Sequence, residues 1–209
     1  LPENMDTIEG ALIEPLAVGF HAANQGGARL GQKAVVMGAG CIGLMTLLAL
    51  KAFGVTEVYV VDVMENRLAK AKELGAAGII NGKEQDAVEE LMRATAGKGM
   101  DLCIDTAGSQ ITMNQCIGAA AKGAAVVFVG YSAQDQVSLD INNALNKELT
   151  FKTVFRYRNL YPLAIEAVSQ GLNVKGVVTD FFKFDDVRKA MDLSVSNKAE
   201  IVKAVLSLR

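Results

Sequence analysis

Gly38-Ala39-Gly40-Cys41-Ile42-Gly43 follows the apolar run Lys33–Met37 and leads into Ile42–Phe53, an apolar stretch of helical length. Glycines at that spacing, between a strand and a helix, suit a phosphate cradle. Gly38 permits a tight turn, Gly40 lets backbone approach a pyrophosphate, and Gly43 lets the helix lie close to the strand. A helix starting about Cys41 offers free N–H groups and its positive dipole end to an anion. The bland alternative is a glycine-rich turn with no ligand. A second apolar run, Glu57–Asp62, ends on a carboxylate 19 positions after Gly43. The dinucleotide-binding pattern expects an acid at roughly 20 positions, where it accepts ribose hydroxyls. A carboxylate there would repel a 2′-phosphate, so the expected cofactor is NAD rather than NADP. Arg67 follows five positions later. Its guanidinium could pack over an adenine, or it could be a helix charge pairing with Glu65 or Asp62.

The elements that must position these residues read as alternating strands and helices. Strands are expected at Lys33–Met37, Glu57–Asp62, Gly78–Asn81, Leu102–Asp105, Ala125–Val129 and Thr150–Phe155. Helices are expected at Ile42–Phe53, Glu65–Leu74, Glu84–Ala96 and Gln110–Ala121. Near-continuous apolar strands alternating with helices imply an α/β fold, a doubly wound parallel sheet covered on both faces. Val129–Tyr131 and Phe155–Tyr157 then end strands on the same side as Gly38–Gly43, the carboxyl edge at which such sheets bind ligands. Asp101 and Asp105 flank a strand and read as cap or turn residues. The ends depart from the series. Residues 1–30 carry a helix near Pro15–Asn24. Residues 158–209 carry a helix near Leu160–Gln170, a strand near Val174–Phe182, a helix near Asp185–Ser194 and a strand near Ile201–Leu206. The expected division is 1–30, 31–157 as a Rossmann domain, and 158–209, with the two ends as remnants of a second lobe.

Composition excludes several function classes. Lys and Arg number 21 against 23 Asp and Glu, a formal charge of −2, so no basic face for nucleic acid is expected. The longest apolar run, Cys41–Leu50, is interrupted by Gly43 and Thr46 and stops at Lys51, well short of the roughly 18 residues of a membrane span. No secretory pattern opens the chain. The three cysteines, Cys41, Cys103 and Cys116, form no CxxC pair, which suits a reducing cytoplasm. The chain starts without Met, and a fragment is the expectation.

Glu14-Pro15-Leu16-Ala17-Val18-Gly19-Phe20-His21-Ala22 and Val154-Phe155-Arg156-Tyr157-Arg158-Asn159-Leu160-Tyr161-Pro162 resemble the zinc-dependent medium-chain dehydrogenases, and within them the sorbitol/xylitol (polyol) branch. The resemblance covers essentially the whole chain. It implies a two-lobed enzyme whose catalytic lobe precedes the dinucleotide domain and is completed by the returning chain end. The family's zinc ligands, a Cys and a His-Glu pair, would lie in that preceding part. No metal ligand is therefore assigned here, and His21 on the hinge helix reads as a packed or capping residue. Carried across, the family's NAD contacts fall on Ile42, Asp62 and Arg67, on Val129, Gly130 and Tyr131, and on Val154, Phe155 and Arg156. Its polyol contacts fall on Glu14, Arg156 and Tyr157. All match in residue type except Tyr131, where the family varies.

The resemblance further implies hydride transfer from a secondary carbinol to NAD, with zinc in the intact enzyme as Lewis acid. Glu14 would orient, or accept a proton from, the zinc-bound water or hydroxyl. Arg156 and Tyr157 would donate hydrogen bonds to a polyol. The bland readings are a carboxylate capping the helix that Pro15 begins and surface anchoring at a strand end. A free-standing NAD-sensing module, or a related branch acting on threonine or a sugar-alcohol phosphate, is the alternative. This fragment alone is expected to be inactive. A homodimer or homotetramer is expected, joined through the edge at Thr150–Phe155.

Overall fold

The computed structural model describes residues 1–197 and 200–208. Six strands form one all-parallel sheet: β1 (Lys33–Met37), β2 (Glu57–Asp62), β3 (Gly78–Asn81), β4 (Met100–Asp105), β5 (Ala120–Phe128) and β6 (Thr150–Thr153). Their spatial order is β3-β2-β1-β4-β5-β6, the order of a doubly wound dinucleotide fold. Between them run α2 (Cys41–Ala52), α3 (Glu65–Glu73), α4 (Ala87–Ala94), α5 (Gln110–Ala119) and α6 (Ile141–Asn146).

The period-2 alternation of β1 divides its side chains between two cores. Ala34 and Val36 join a cluster with Leu16 and Phe20 of the first helix, α1 (Thr7–Gln25), and with Leu44 and Leu47 of α2. Val35 and Met37 join the opposite cluster with Leu91 of α4 and Cys116 of α5. A strand buried on both faces has no polar side to show, which is why the sequence there is uniformly apolar. Burial pushes the Cys103 thiol up to about 12, so this cysteine is a packed hydrophobe.

The expected fold class holds, and several expected boundaries move. The first helix begins at Thr7, well before Pro15. Asp6 accepts the Glu9 N–H at 2.8 Å while the Glu9 side chain accepts the Asp6 N–H at 2.9 Å, a reciprocal cap that starts the helix early. Pro15 therefore lies inside α1 and is buried. Glu14 sits mid-helix, so the reading of it as a cap at the helix start is wrong. Strand β5 begins at Ala120 instead of Ala125, with a ladder irregularity opposite Met100–Leu102. Strand β6 ends at Thr153, leaving Val154 and Phe155 beyond it. The six-residue helix α6 carries too little periodicity to have been expected.

The strand expected across Val174–Phe182 is a 3-10 turn at Val174–Val177 followed by β7 (Asp180–Lys183). The Asn173 side chain accepts the Gly176 N–H and closes that turn. Another 3-10 turn, Phe184–Asp186, precedes α8 (Val187–Ser196), and β7 pairs in parallel with β8 (Ala204–Ser207) as a separate two-stranded sheet. Helix α7 (Tyr161–Ser169) packs on α1.

Candidate functional site

The three glycines of the β1–α2 turn are held by different constraints. Gly38 has φ +99°, a left-handed conformation that favours glycine. Its N–H donates to the Val61 carbonyl at 2.7 Å, joining the turn to β2. A Cβ on Gly43 would run into the Gly38 carbonyl, so close packing of α2 on the turn demands glycine. At Gly40, the residue that precedes α2, a Cβ would meet nothing within 4 Å among the described residues. The chain's own packing does not require glycine there. The space beside it lies at a helix N-terminus whose cap residue offers no side-chain acceptor, where free N–H groups can receive an anion.

Asp62 closes β2 beside that turn. Its Oδ2 accepts the Ala39 N–H at 2.6 Å, and its Oδ1 accepts those of Val63 at 2.7 Å and Met64 at 2.9 Å. A carboxylate offers about four acceptor sites. Three are taken by backbone, which fixes the group rigidly, and capacity remains on Oδ2 for one more donor.

Two clefts open at the carboxyl edge of the sheet. The first, about 490 Å³, is lined by Gly38, Gly40, Asp62 and Arg67, and from the far side by Thr106, Ala107 and Ser109. The second, about 470 Å³, is lined by Ile42, Val129, Gly130, Tyr131, Val154, Phe155 and Arg156, with Val18 of α1. Apart from Cys41 and Gly43, the residues carried over as cofactor contacts thus line one cleft or the other. Gly43 is buried beneath the turn. Cys41, the first residue of α2, is half-buried; burial raises its thiol, Lys203 opposes that rise and Glu14 adds to it.

Thr106 lines both clefts and was missed from the sequence. Its hydroxyl donates to the Met37 carbonyl at 2.9 Å and to that of Gly38 at 3.2 Å, so it clamps the glycine turn from β4. The available signal was the Thr106-Ala107-Gly108 turn directly after a strand, a second strand-to-helix turn with glycine.

The expected polyol contacts lie close by. Glu14 is exposed on α1, and its charge reaches Cys41 and Tyr161. The Tyr157 ring packs against Tyr161 with centroids 4.8 Å apart. Contact with the Tyr157 hydroxyl, together with burial, pushes the Tyr161 phenol up to about 12. Arg156 sits 5.2 Å from the centre of the Phe155 ring and has φ +56°; Asn159 has φ +55°. Two non-glycine residues in left-handed backbone cost about 1 kcal/mol each or more, and such strain gathers at functional sites. His21 is buried on α1 with no hydrogen-bond partner for Nδ1 among the described residues, and burial lowers its pKa, with Arg158 adding to the effect.

A family model described as zinc-binding dehydrogenase matches residues 41–170, more than half of the chain. The chain belongs to the zinc-binding dehydrogenase family. An Escherichia coli zinc-type alcohol dehydrogenase-like protein is 45% identical over 209 residues, covering 100% of this chain and 60% of that protein. A Bacillus subtilis sorbitol dehydrogenase is 34% identical, over 99% of this chain and 59% of the relative. An Escherichia coli alcohol dehydrogenase solved with NADH superposes with a TM-score of 0.92 at 28% identity, covering 100% of this chain and 61% of the other. This zinc-binding dehydrogenase chain thus spans about three fifths of the length of the curated relatives it matches. Among its described residues, no group of three or more His, Cys, Asp or Glu is placed to hold a metal ion. No described helix is long and apolar enough to cross a membrane.

Proposed function

We propose that this chain is the NAD-binding portion of an enzyme that oxidises a polyol such as sorbitol or xylitol to a ketose. Asp62 carries the reading. It is a carboxylate fixed by three N–H groups beside a turn whose Gly40 leaves room for phosphate. In this reading the α2 N-terminus and the Gly38–Gly43 turn hold the pyrophosphate. Asp62 Oδ2 takes a ribose hydroxyl and repels a 2′-phosphate. Arg67 borders the adenine end. Ile42, Val129, Gly130, Tyr131, Val154, Phe155 and Arg156 border the nicotinamide end. When bound, NAD supplies the hydride acceptor; the chain positions it and excludes water.

Glu14, Arg156 and Tyr157 are the proposed polyol contacts, with Glu14 holding or moving a proton at its carboxylate and the other two donating to hydroxyls. The polyol class is supported by the sorbitol dehydrogenase relative and by the Val154–Pro162 stretch, which resembles the polyol branch. The zinc-holding lobe is assigned to sequence beyond these residues, and the division at about residues 30 and 157 is proposed with it. This chain alone is then inactive. A cytoplasmic setting is supported by three free cysteines. A homodimer or homotetramer is supported by β6, which lies at the sheet edge with exposed Lys152 and Thr153.

The test is NAD reduction by the full-length enzyme with zinc on a panel of sorbitol, xylitol, threonine and a sugar-alcohol phosphate. Turnover of the free polyols, lost in Glu14→Ala with NAD affinity retained, is the expected result. Preference for threonine or the phosphate would overturn the polyol assignment.

A further inference from the structure

Asp105 is a buried acid for which the cofactor reading has no use. It ends β4, is 0% exposed, and stands in register with Met37 of β1 and Phe128 of β5. The boundary between β1 and β4 is where the strand order reverses, the point at which such sheets bind dinucleotides across the crevice. Its Oδ2 accepts the Gly108 N–H at 2.9 Å. Its backbone carbonyl accepts the N–H groups of Val129 at 2.8 Å and Gly130 at 3.1 Å. One residue thus ties two loops: Ala107 and Ser109 of one line the first cleft, Val129 and Gly130 of the other line the second, and Thr106 borders both. The loops also touch. A Cβ on Gly108, which has φ +71°, would collide with the Tyr131 carbonyl, and one on Gly130 with the Gly108 nitrogen.

Burying a carboxyl is unfavourable unless its oxygens are satisfied. Here Oδ1 reaches no partner with hydrogen-bond geometry among the described residues. Burial pushes the carboxyl pKa up, although the Thr112 hydroxyl and the Gly108 and Ala107 N–H groups pull against that rise. A neutral amide would make the same tie without burying an acid.

We propose that Asp105 is a positioning residue for the cofactor: by holding the Gly108 N–H it seats the 106–109 loop on residues 130–131 and so sets the spacing of the two half-clefts. The proposal rests on the NAD reading. A ligand that spans both clefts depends on that spacing, whereas AMP, held in the first cleft chiefly by Asp62 and the glycine turn on the wall opposite the 106–109 loop, depends on it far less. A residue that merely stabilised the fold would shift the melting temperature without separating the two ligands.

The experiment titrates the 209-residue chain, which has no Trp to overlap NADH fluorescence, with NADH, and with AMP by calorimetry. Asp105→Ala is expected to lower NADH affinity about tenfold and AMP affinity less than about twofold, the loss of roughly one positioned hydrogen bond. Asp105→Asn, which keeps an acceptor oxygen, should recover most of the NADH affinity. If Asp105→Ala does not fold, the near-isosteric Asp105→Leu carries the same expectation. Unchanged NADH binding, or NADH and AMP weakened in equal proportion, would overturn the proposal. Failure of the unsubstituted chain to bind NADH would overturn the NAD reading and this inference with it; binding there, with no effect of Asp105→Ala, overturns this inference alone.

Discussion

The two sheets of this chain are built on opposite terms. In the six-stranded sheet, strands β1 and β4 lie between two apolar clusters, and Val35, Val36, Met37, Leu102 and Ile104 are all 0% exposed. In the two-stranded sheet and its helix α8, Ala190 is the one buried residue of the helix, while Phe181, Phe184, Met191 and Val195 each stand more than half exposed. The first sheet closes its own core. The second presents large apolar side chains and buries few of them, as an element does when it contributes one face of a core. Stability should therefore be concentrated in residues 31–157, together with α1 and α7, which pack on them.

The largest expected effect tests that contrast directly. Leu47→Ala, deleting a fully buried side chain of α2, should destabilise the chain by about 3 kcal/mol. Phe181→Ala, at 61% exposed, should cost less than about 0.5 kcal/mol. Denaturant titration checks both, and comparable losses would mean that Phe181 contributes as much to stability as a side chain of the main core.

Within the glycine turn a sharper contrast is expected. Gly43→Ala forces a Cβ onto the Gly38 carbonyl and should cost about 2 kcal/mol. Gly40→Ala meets open space in the chain and should cost at most about 1 kcal/mol, as a change at a helix cap does. NADH affinity should nevertheless fall at least about tenfold in Gly40→Ala, because the new methyl enters the space proposed for pyrophosphate. Melting curves and NADH titration separate the two outcomes. Gly40→Ala binding NADH normally would show that the space is not used.

The smallest expected effect concerns Asp105. Burial raises its pKa in the folded chain, so the native state holds this proton more tightly than the unfolded state does. The stabilisation linked to it is fully present below the unfolded value near 3.9 and is lost as pH rises through the folded value. Asp105→Asn removes the titration. Its melting temperature relative to the unsubstituted chain should accordingly be higher at about pH 7 than at about pH 4. A difference that does not change with pH would mean that Asp105 titrates normally.

The alternation of strands and helices was legible because the central strands β1, β2 and β4 are mostly apolar and buried, and α2 to α5 are long enough to show their period, which the six-residue α6 is not. The placement of Gly38, Gly40 and Gly43 in one turn with Asp62 beside it was legible for a related reason: it follows from local spacing. The ends were harder to read. The start of α1 is set by the Asp6–Glu9 cap, eight residues before the proline that drew attention. The 3-10 turn at Val174–Val177 is set by one Asn173 side chain within an apolar run. Thr106 was missed as a cleft residue, and Asp105 was read only as a cap or turn residue, because their partners Met37, Gly38, Val129 and Gly130 converge only through strand pairing.

With Asp62 set against the ribose, as proposed, this chain should bind NAD and not NADP. Titration of the 209-residue chain with NADH and with NADPH, in parallel and at one ionic strength, tests it most directly. Saturable NADH binding is expected, with NADPH at least about tenfold weaker, the separation that repulsion between a carboxylate and a 2′-phosphate should produce. The separation should narrow in Asp62→Ala. Equal affinity for the two cofactors in the unsubstituted chain would contradict it.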